Sequence, residues 1–143
     1  MSTVTFTIPG KPVSKGRPRF STAGGYARSY TPAKTVEYEN LVRMEWEKSG
    51  AKKLEGVISA TINCFFPIPK SVSKKKREAM NGAFYTKKPD CDNIAKIILD
   101  ALNGIAYDDD SQVAMLNVVK LYDADETMVK VTLVESGGEN GDE

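Results

Sequence analysis

Strict alternation opens the chain. In "TVTFTI" (3–8) β-favouring polar and apolar residues take turns, which predicts a strand closed by Pro9-Gly10. "GVISATINCFF" (56–66) predicts a second strand, stopped by Pro67 and Pro69. "QVAMLNVVKLY" (112–122) and "TMVKVTLVE" (127–135) predict two more, turned by "DADE" into a β-hairpin. Elsewhere the period changes to that of a helix. Thr31-Pro32 offers a cap and a proline for the first helical position, and Val36, Tyr38, Leu41, Val42 and Trp46 continue the stripe to Gly50. "SKKKREAMNG" (73–82) predicts a short basic helix capped by Ser73. "NIAKIILDALNGI" (93–105) is the clearest element, with Ile94, Ile97, Ile98, Ala101, Leu102 and Ile105 on one face and Asn103-Gly104 as its stop.

Between the first strand and the first helix, residues 10–30 hold four glycines and two prolines among basic residues, and read as a long loop or an irregular hairpin. The succession strand, helix, strand, helix, helix, strand, strand predicts an α/β fold. We expect a single domain over residues 1–134, a mixed β-sheet of about four strands flanked by helices. "ESGGENGDE" (135–143) lacks apolar residues to pack and is expected to be a disordered acidic tail.

Composition narrows the chemistry. At 143 residues one domain can bury roughly two-thirds of its unfolded surface. The absence of histidine removes imidazole bases, Ser-His and Cys-His nucleophiles and His-ligated zinc. Cys64 and Cys91, far apart, exclude a cysteine zinc cage. No apolar run reaches the ~20 residues of a membrane span, and "MSTVTFTIPG" lacks a signal-peptide pattern. No membrane association and a cytoplasmic location are the expectations.

Charge is segregated. Lys11, Lys15, Arg17, Arg19, Arg28 and Lys34 fall in one stretch without an acid, and Lys70, Lys74, Lys75, Lys76, Arg77, Lys87 and Lys88 in another with only Glu78. Two basic arms suit a polyanion. Acids gather around the isoleucine helix: Asp90 and Asp92 before it, Asp108-Asp109-Asp110 after it. If Asp90–Asp92 is extended, both carboxylates face one side and Cys91 faces the core. Lys96 lies one turn beyond Asp92, on the polar stripe with Asp100. Should one acid of the "DDD" run return to the Asp90/Asp92 pair, the carboxylates need a counter-charge. A hard divalent cation supplies it, bringing phosphate with it. Each feature also has a plain structural explanation: a helix cap, an i, i+4 pair, a polar turn. An EF-hand loop starting at Asp90 fails, because its glycine and glutamate positions are Ala95 and Ala101.

"KPDCDNIAKIILDALNGIAYDDDSQV" resembles the signature of the RusA family of crossover junction endodeoxyribonucleases, the Holliday junction resolvases. The matching residues are Asp90, Asp92, Asn93, Lys96, Asp100-Ala101-Leu102 and Asp109-Asp110-Ser111-Gln112-Val113. "IPGKPVSKGRPRF" and "YTPAKTVEYE" resemble the opening of phage members. The resemblance implies a homodimeric, Mg²⁺-dependent endonuclease, with Mn²⁺ as a substitute, that makes paired symmetric nicks in four-way, branched double-stranded DNA. It places catalysis on Asp90, Asp92, Lys96 and Asp110, with Asp90, Asp92 and Asp110 as metal ligands. Asp109 and Asn93 are auxiliary, and the run of three acids leaves the third ligand open by one residue. DNA contacts are expected at Lys15, Arg17, Arg19, Lys74, Lys75, Lys76, Lys87 and Lys88. The competing reading is a non-catalytic nucleic-acid-binding protein of phage or prophage type whose acids only cap and turn the fold.

Overall fold

The computed structural model describes residues 2–16, 22, 24–25 and 31–136 in full, with the backbone of 19–21 and 28–30. Strand β1 (Ser2–Pro9) leads through a two-stranded antiparallel hairpin, β2 (Arg19–Ser21) and β3 (Arg28–Tyr30), to helix α1 (Ala33–Lys48). Next come β4 (Val57–Pro67), α2 (Lys74–Met80), α3 (Cys91–Leu102), a 3₁₀ turn (Asp110–Gln112), β5 (Val113–Asp123) and β6 (Met128–Ser136). The mixed four-stranded sheet runs β1-β6-β4-β5. The expected α/β fold class is present.

The expected hairpin of the last two strands is not. β4 lies between them, parallel to β5 and antiparallel to β6. The cause is visible in β4 itself. Ile58, Ala60, Ile62, Cys64 and Phe66 are buried, and a strand so apolar takes the centre, with a neighbour on each side. Helix α3 provides the crossover that a parallel β4–β5 pair requires. The chain then steps over the Pro67 end of β4 and returns as β6.

One face of the sheet carries the core. β4 and β6 contribute Ile58, Ile62, Val129, Val131 and Leu133; α1 contributes Tyr38, Val42 and Trp46; α3 contributes Ile94, Ala95, Ile97, Ile98, Ala101 and Leu102. Val36, expected on the buried stripe of α1, is instead exposed, and Thr35 takes the inward position. Pro32 is the N-cap of α1, one residue later than expected, and makes no side-chain cap bond. Ser73 does cap α2, accepting from the Lys76 N–H. β6 runs through Ser136, so Glu135 and Ser136 belong to the sheet and not to the tail. The Glu135 carboxylate accepts from the Glu55 and Gly56 N–H groups. The remaining tail residues, 137–143, lie outside the described residues.

Because Ile97 is fully buried between sheet and helix, Ile97→Ala should cost about 2–5 kcal/mol of unfolding free energy in urea titrations. An effect below about 0.5 kcal/mol would mean that α3 is not packed as described.

Candidate active site

The acids at the start of α3 are held by the helix yet not consumed by it. Asp90 is its N-cap, extended at φ −74°, ψ 154°, and its backbone carbonyl accepts from the Ile94 N–H. A cap aspartate ordinarily accepts a helix N–H with its side chain. Asp90 makes no such bond, and among the described residues its carboxylate faces the Lys88 ammonium at 3.7 Å. Asp92 lies in the first helical turn, where the helix dipole favours an anion. Cys91 is therefore helical and exposed rather than extended and inward, its Sγ 3.9 Å from the Val118 carbonyl oxygen. The helix entry passes a cis Lys88–Pro89 bond, and the Lys120 ammonium donates to the carbonyls of Lys87 and Pro89.

Asp90 and Asn93 open onto a cleft of about 930 Å³ between α3, the start of α1 and the segment 11–16. Lys11, Lys34 and Lys88 rim it; Val13, Pro32 and Leu41 contribute an apolar wall. The segment is anchored twice. Lys15 N–H donates to the Asn93 carbonyl, and Gly16 N–H to the Thr35 hydroxyl. Gly16 passes so close to α1 that a Cβ there would sit 2.7 Å from Thr35 Oγ1.

Lys15 is correspondingly not a free phosphate contact. Its ammonium meets Glu39 at 2.6 Å and Asp100 at 3.3 Å. Partial burial works against that charge, but the two carboxylates outweigh it and hold its pKa above the ordinary lysine value. Asp100 thus pairs with Lys15 rather than with Lys96. Lys74, Lys75 and Lys76 are exposed on α2, and Lys87 and Lys88 on the approach to α3. Arg17 and the side chain of Arg19 lie outside the described residues.

At the far end of α3 the three consecutive aspartates have different occupations. Asp108 pairs with Lys53 at 2.7 Å. Asp109 caps the 3₁₀ turn, accepting from the Ser111 N–H; the Ser111 hydroxyl first, then that N–H, lower its pKa. Gln112 ties the whole turn down. Its Oε1 accepts from Asp108 and Asp109 N–H, and its Nε2 donates to the Gly56 carbonyl. Among the described residues Asp110 is held by its backbone, whose N–H donates to Asn103 Oδ1. Asp92, Lys96 and Asp110 are exposed and enter none of the ion pairs among the described residues. The Tyr107 hydroxyl donates to the Leu99 carbonyl; burial first, then Asp110, Asp100 and Asp109, push its pKa upward.

The expected meeting of the acids within one chain does not occur. Asp90 caps the N-terminus of α3, and Asp110 is bonded to Asn103, its C-cap. Twelve helical residues separate the ends by about 18 Å. Among the described residues no three acidic or cysteine side chains converge on a point where they could share an ion. β5 does pass beside the start of α3, Cys91 Sγ lying near the Val118 carbonyl, but the return of an acid also depends on the strand's direction. A parallel crossover starts β5 at the opposite end of the helix. Sequence reasoning also passed over Lys11 and Lys34 as cleft residues and Gln112 as the clamp. The S-Q-V match was the only trace of the last.

With this geometry in place, comparison decides the lineage. The family model described as Endodeoxyribonuclease RusA matches residues 9–134. The chain belongs to the RusA endodeoxyribonuclease family. It is also 39% identical over 140 residues to the uncharacterized protein YqaN of Bacillus subtilis (strain 168), across 94% of this chain and 98% of that protein. At family level the protein is an endonuclease of the class that acts on branched DNA junctions. Among the described residues no helix is long and apolar enough to cross a membrane.

Gly16→Ala should force the segment 11–16 off α1. We expect a loss of about 1–3 kcal/mol in thermal or urea unfolding, together with weakened DNA cleavage. Wild-type values for both would show that this close approach does not shape the cleft.

Proposed function

We propose that this RusA-family protein is a Mg²⁺-dependent, structure-selective endodeoxyribonuclease that resolves four-way junctions by paired symmetric nicks, working as a homodimer. The observation that carries the reading is Asp90, whose carboxylate makes no cap bond and opens on a lysine-rimmed cleft, with Asp92 exposed two residues further on. Neither carboxylate stabilises the helix through a side-chain cap bond, so a structural role accounts for them poorly.

The donor set suits the ion. Mg²⁺ takes oxygen ligands, commonly one or two carboxylates, and completes its shell with water and phosphate. Asp90 and Asp92 would hold it, with Asp110 as a further ligand. Of the "DDD" run, Asp110 is favoured because Asp108 and Asp109 are engaged in an ion pair and a cap. When bound, a divalent ion polarises the phosphodiester and favours formation of the attacking nucleophile.

The chain's own residues supply the rest. Lys11, Lys34 and Lys88 attract the DNA backbone to the cleft, and exposed Lys74, Lys75 and Lys76 extend the basic track. Lys96, one turn from Asp92 and unpaired among the described residues, stabilises negative charge developing on the phosphate. Asn93 orients the strand at the cleft floor.

The distance between Asp110 and Asp90 fits a two-chain site. A two-fold axis perpendicular to α3 reverses its direction, so that the Asp110 end of one chain would face the Asp90 end of the other. Such a dimer carries two equivalent sites, which matches the two symmetric cuts a four-way junction requires.

Incubation of a labelled four-way junction with Mg²⁺ tests the reading. We expect incision that stops on chelation, and a loss on the order of 100-fold or more for Asp92→Asn as several kcal/mol of transition-state stabilisation disappear, with junction binding retained. Cleavage by Asp92→Asn at the wild-type rate would reject the assignment.

A further inference from the structure

Helix α3 is firmly packed, but the chain that leads into it belongs to no ladder. Residues 82–85 lie along the outer edge of β5. Gly82 N–H donates to the Tyr122 carbonyl, Tyr122 N–H to that of Ala83, and Tyr85 N–H to that of Lys120. Between Tyr85 and the cap residue Asp90, residues 86–89 form neither strand nor helix. Their carbonyls must find other partners. Three successive ones do so through side chains. The Lys120 ammonium donates to the carbonyls of Lys87 at 2.7 Å and Pro89 at 2.8 Å, and the Tyr85 hydroxyl to that of Lys88 at 3.1 Å. Among the described residues no backbone N–H reaches any of the three.

Both donors are themselves fixed. The Tyr85 ring stacks on Phe66 with centroids 3.7 Å apart and stands edge-on to Tyr122. The Lys120 ammonium lies 5.5 Å from the centre of the Tyr85 ring, within cation–π range. Across the β4–β5 register Lys120 is paired with Cys64, which is fully buried, so the lysine stem rises from the core face of the sheet. A lysine ordinarily carries its head out into water. This one turns it onto the two carbonyls that bracket Lys88, one of them next to Asp90. It enters none of the ion pairs among the described residues, so it reaches the site carboxylates through the backbone and not by direct contact.

We propose that Lys120 is a positioning residue for the cleavage site. Its ammonium, together with the Tyr85 hydroxyl, fixes the carbonyls of Lys87, Lys88 and Pro89, and so sets the direction in which the Asp90 carboxylate enters the cleft. A ligand carboxylate is only as well placed as the groups behind it, and loss of such an outer partner typically costs about 10–100-fold in metal affinity or activity. The role rests on Asp90 being a metal ligand, as proposed above, and names the group that aims it. It requires a cationic donor of sufficient reach. Methionine keeps an apolar stem over Tyr85 but donates nothing, whereas the several N–H groups of arginine can span the two carbonyls.

Three measurements on Lys120→Met, Lys120→Arg and Tyr85→Phe test the role. Without metal, the Ile94 amide, which donates to the Asp90 carbonyl, should exchange its hydrogen several-fold faster in Lys120→Met, while the amides of the β4–β6 ladder keep wild-type rates. Mn²⁺ binding in titration calorimetry should weaken on the order of 10–100-fold in Lys120→Met and about three- to tenfold in Tyr85→Phe. Lys120→Arg should recover most of the lost affinity. Junction nicking should need correspondingly more Mg²⁺, with metal-free junction binding unchanged. Wild-type exchange and Mn²⁺ affinity in Lys120→Met overturn the proposal. So does a loss that spreads to the ladder amides and to metal-free DNA binding, which is general destabilisation, or an arginine variant no better than methionine. Where Lys120→Met does not fold, Tyr85→Phe, which keeps the stacked ring, decides by the same exchange and Mn²⁺ readouts. If the wild type binds Mn²⁺ but nicks nothing, the nuclease reading falls and the Ile94 exchange and Mn²⁺ affinities still decide the role of Lys120. If Mg²⁺-dependent nicking occurs and both Lys120 variants match the wild type, the positioning role alone falls.

Discussion

Helix α3 is a rigid spacer, and the rest of the site depends on that rigidity. Six of its twelve residues, Ile94 through Leu102, are buried against the sheet and α1. Removing any large one opens a cavity in a close-packed interior. The helix cannot shorten or bend to bring its ends together. Whatever chemistry uses carboxylates from both ends must accommodate about 18 Å of helix.

Each end is handled differently. At the C-terminal end the helix dipole is negative, and further acids there are unfavourable without cations. The protein supplies them. The Arg43 guanidinium donates to the Ala101 carbonyl, Lys15 pairs with Asp100, and Lys53 pairs with Asp108. These contacts pin the turn with side chains from three separate segments, while among the described residues Asp110 is held through its backbone. At the N-terminal end the dipole is positive and tolerates Asp90 and Asp92 without a dedicated protein cation beyond Lys88, itself 87% exposed at its side chain. One end is neutralised internally; the other is left to attract charge from outside. On the reading proposed above, a cation is the recipient of that second arrangement.

Much of this was legible in the sequence, and the failures have physical causes. Periodicity located α3 and all four sheet strands, because each buries a face whose spacing the sequence must respect. Strand order was not legible. The last two strands are separated by a short polar turn, which is a good local hairpin signal, yet β4, whose inward face is apolar throughout, competes for the place between them and wins. Direction followed from order: once β5 is parallel to β4, it must start at the foot of α3. The acids were found by type and spacing, but their distance apart is a tertiary property. Lys15 looked like any basic loop residue because its partners, Glu39 and Asp100, are remote in sequence. Gln112 gave no signal beyond a family match, since a clamp that bonds the backbone of another loop has no periodicity to betray it.

The central claim is that acids from the two ends of α3 act together across two chains. Mixing two inactive variants tests it. Asp90→Asn and Asp110→Asn each lack one ligand in every site, and neither should nick a junction alone. If sites are shared, the mixed dimer combines one intact Asp90 with one intact Asp110 and regains one working site of its two. The account predicts Mg²⁺-dependent nicking restored on mixing, at up to about a quarter of the wild-type level if subunits exchange at random and sites act independently. A mixture as inactive as its components, with subunit exchange verified, would contradict it.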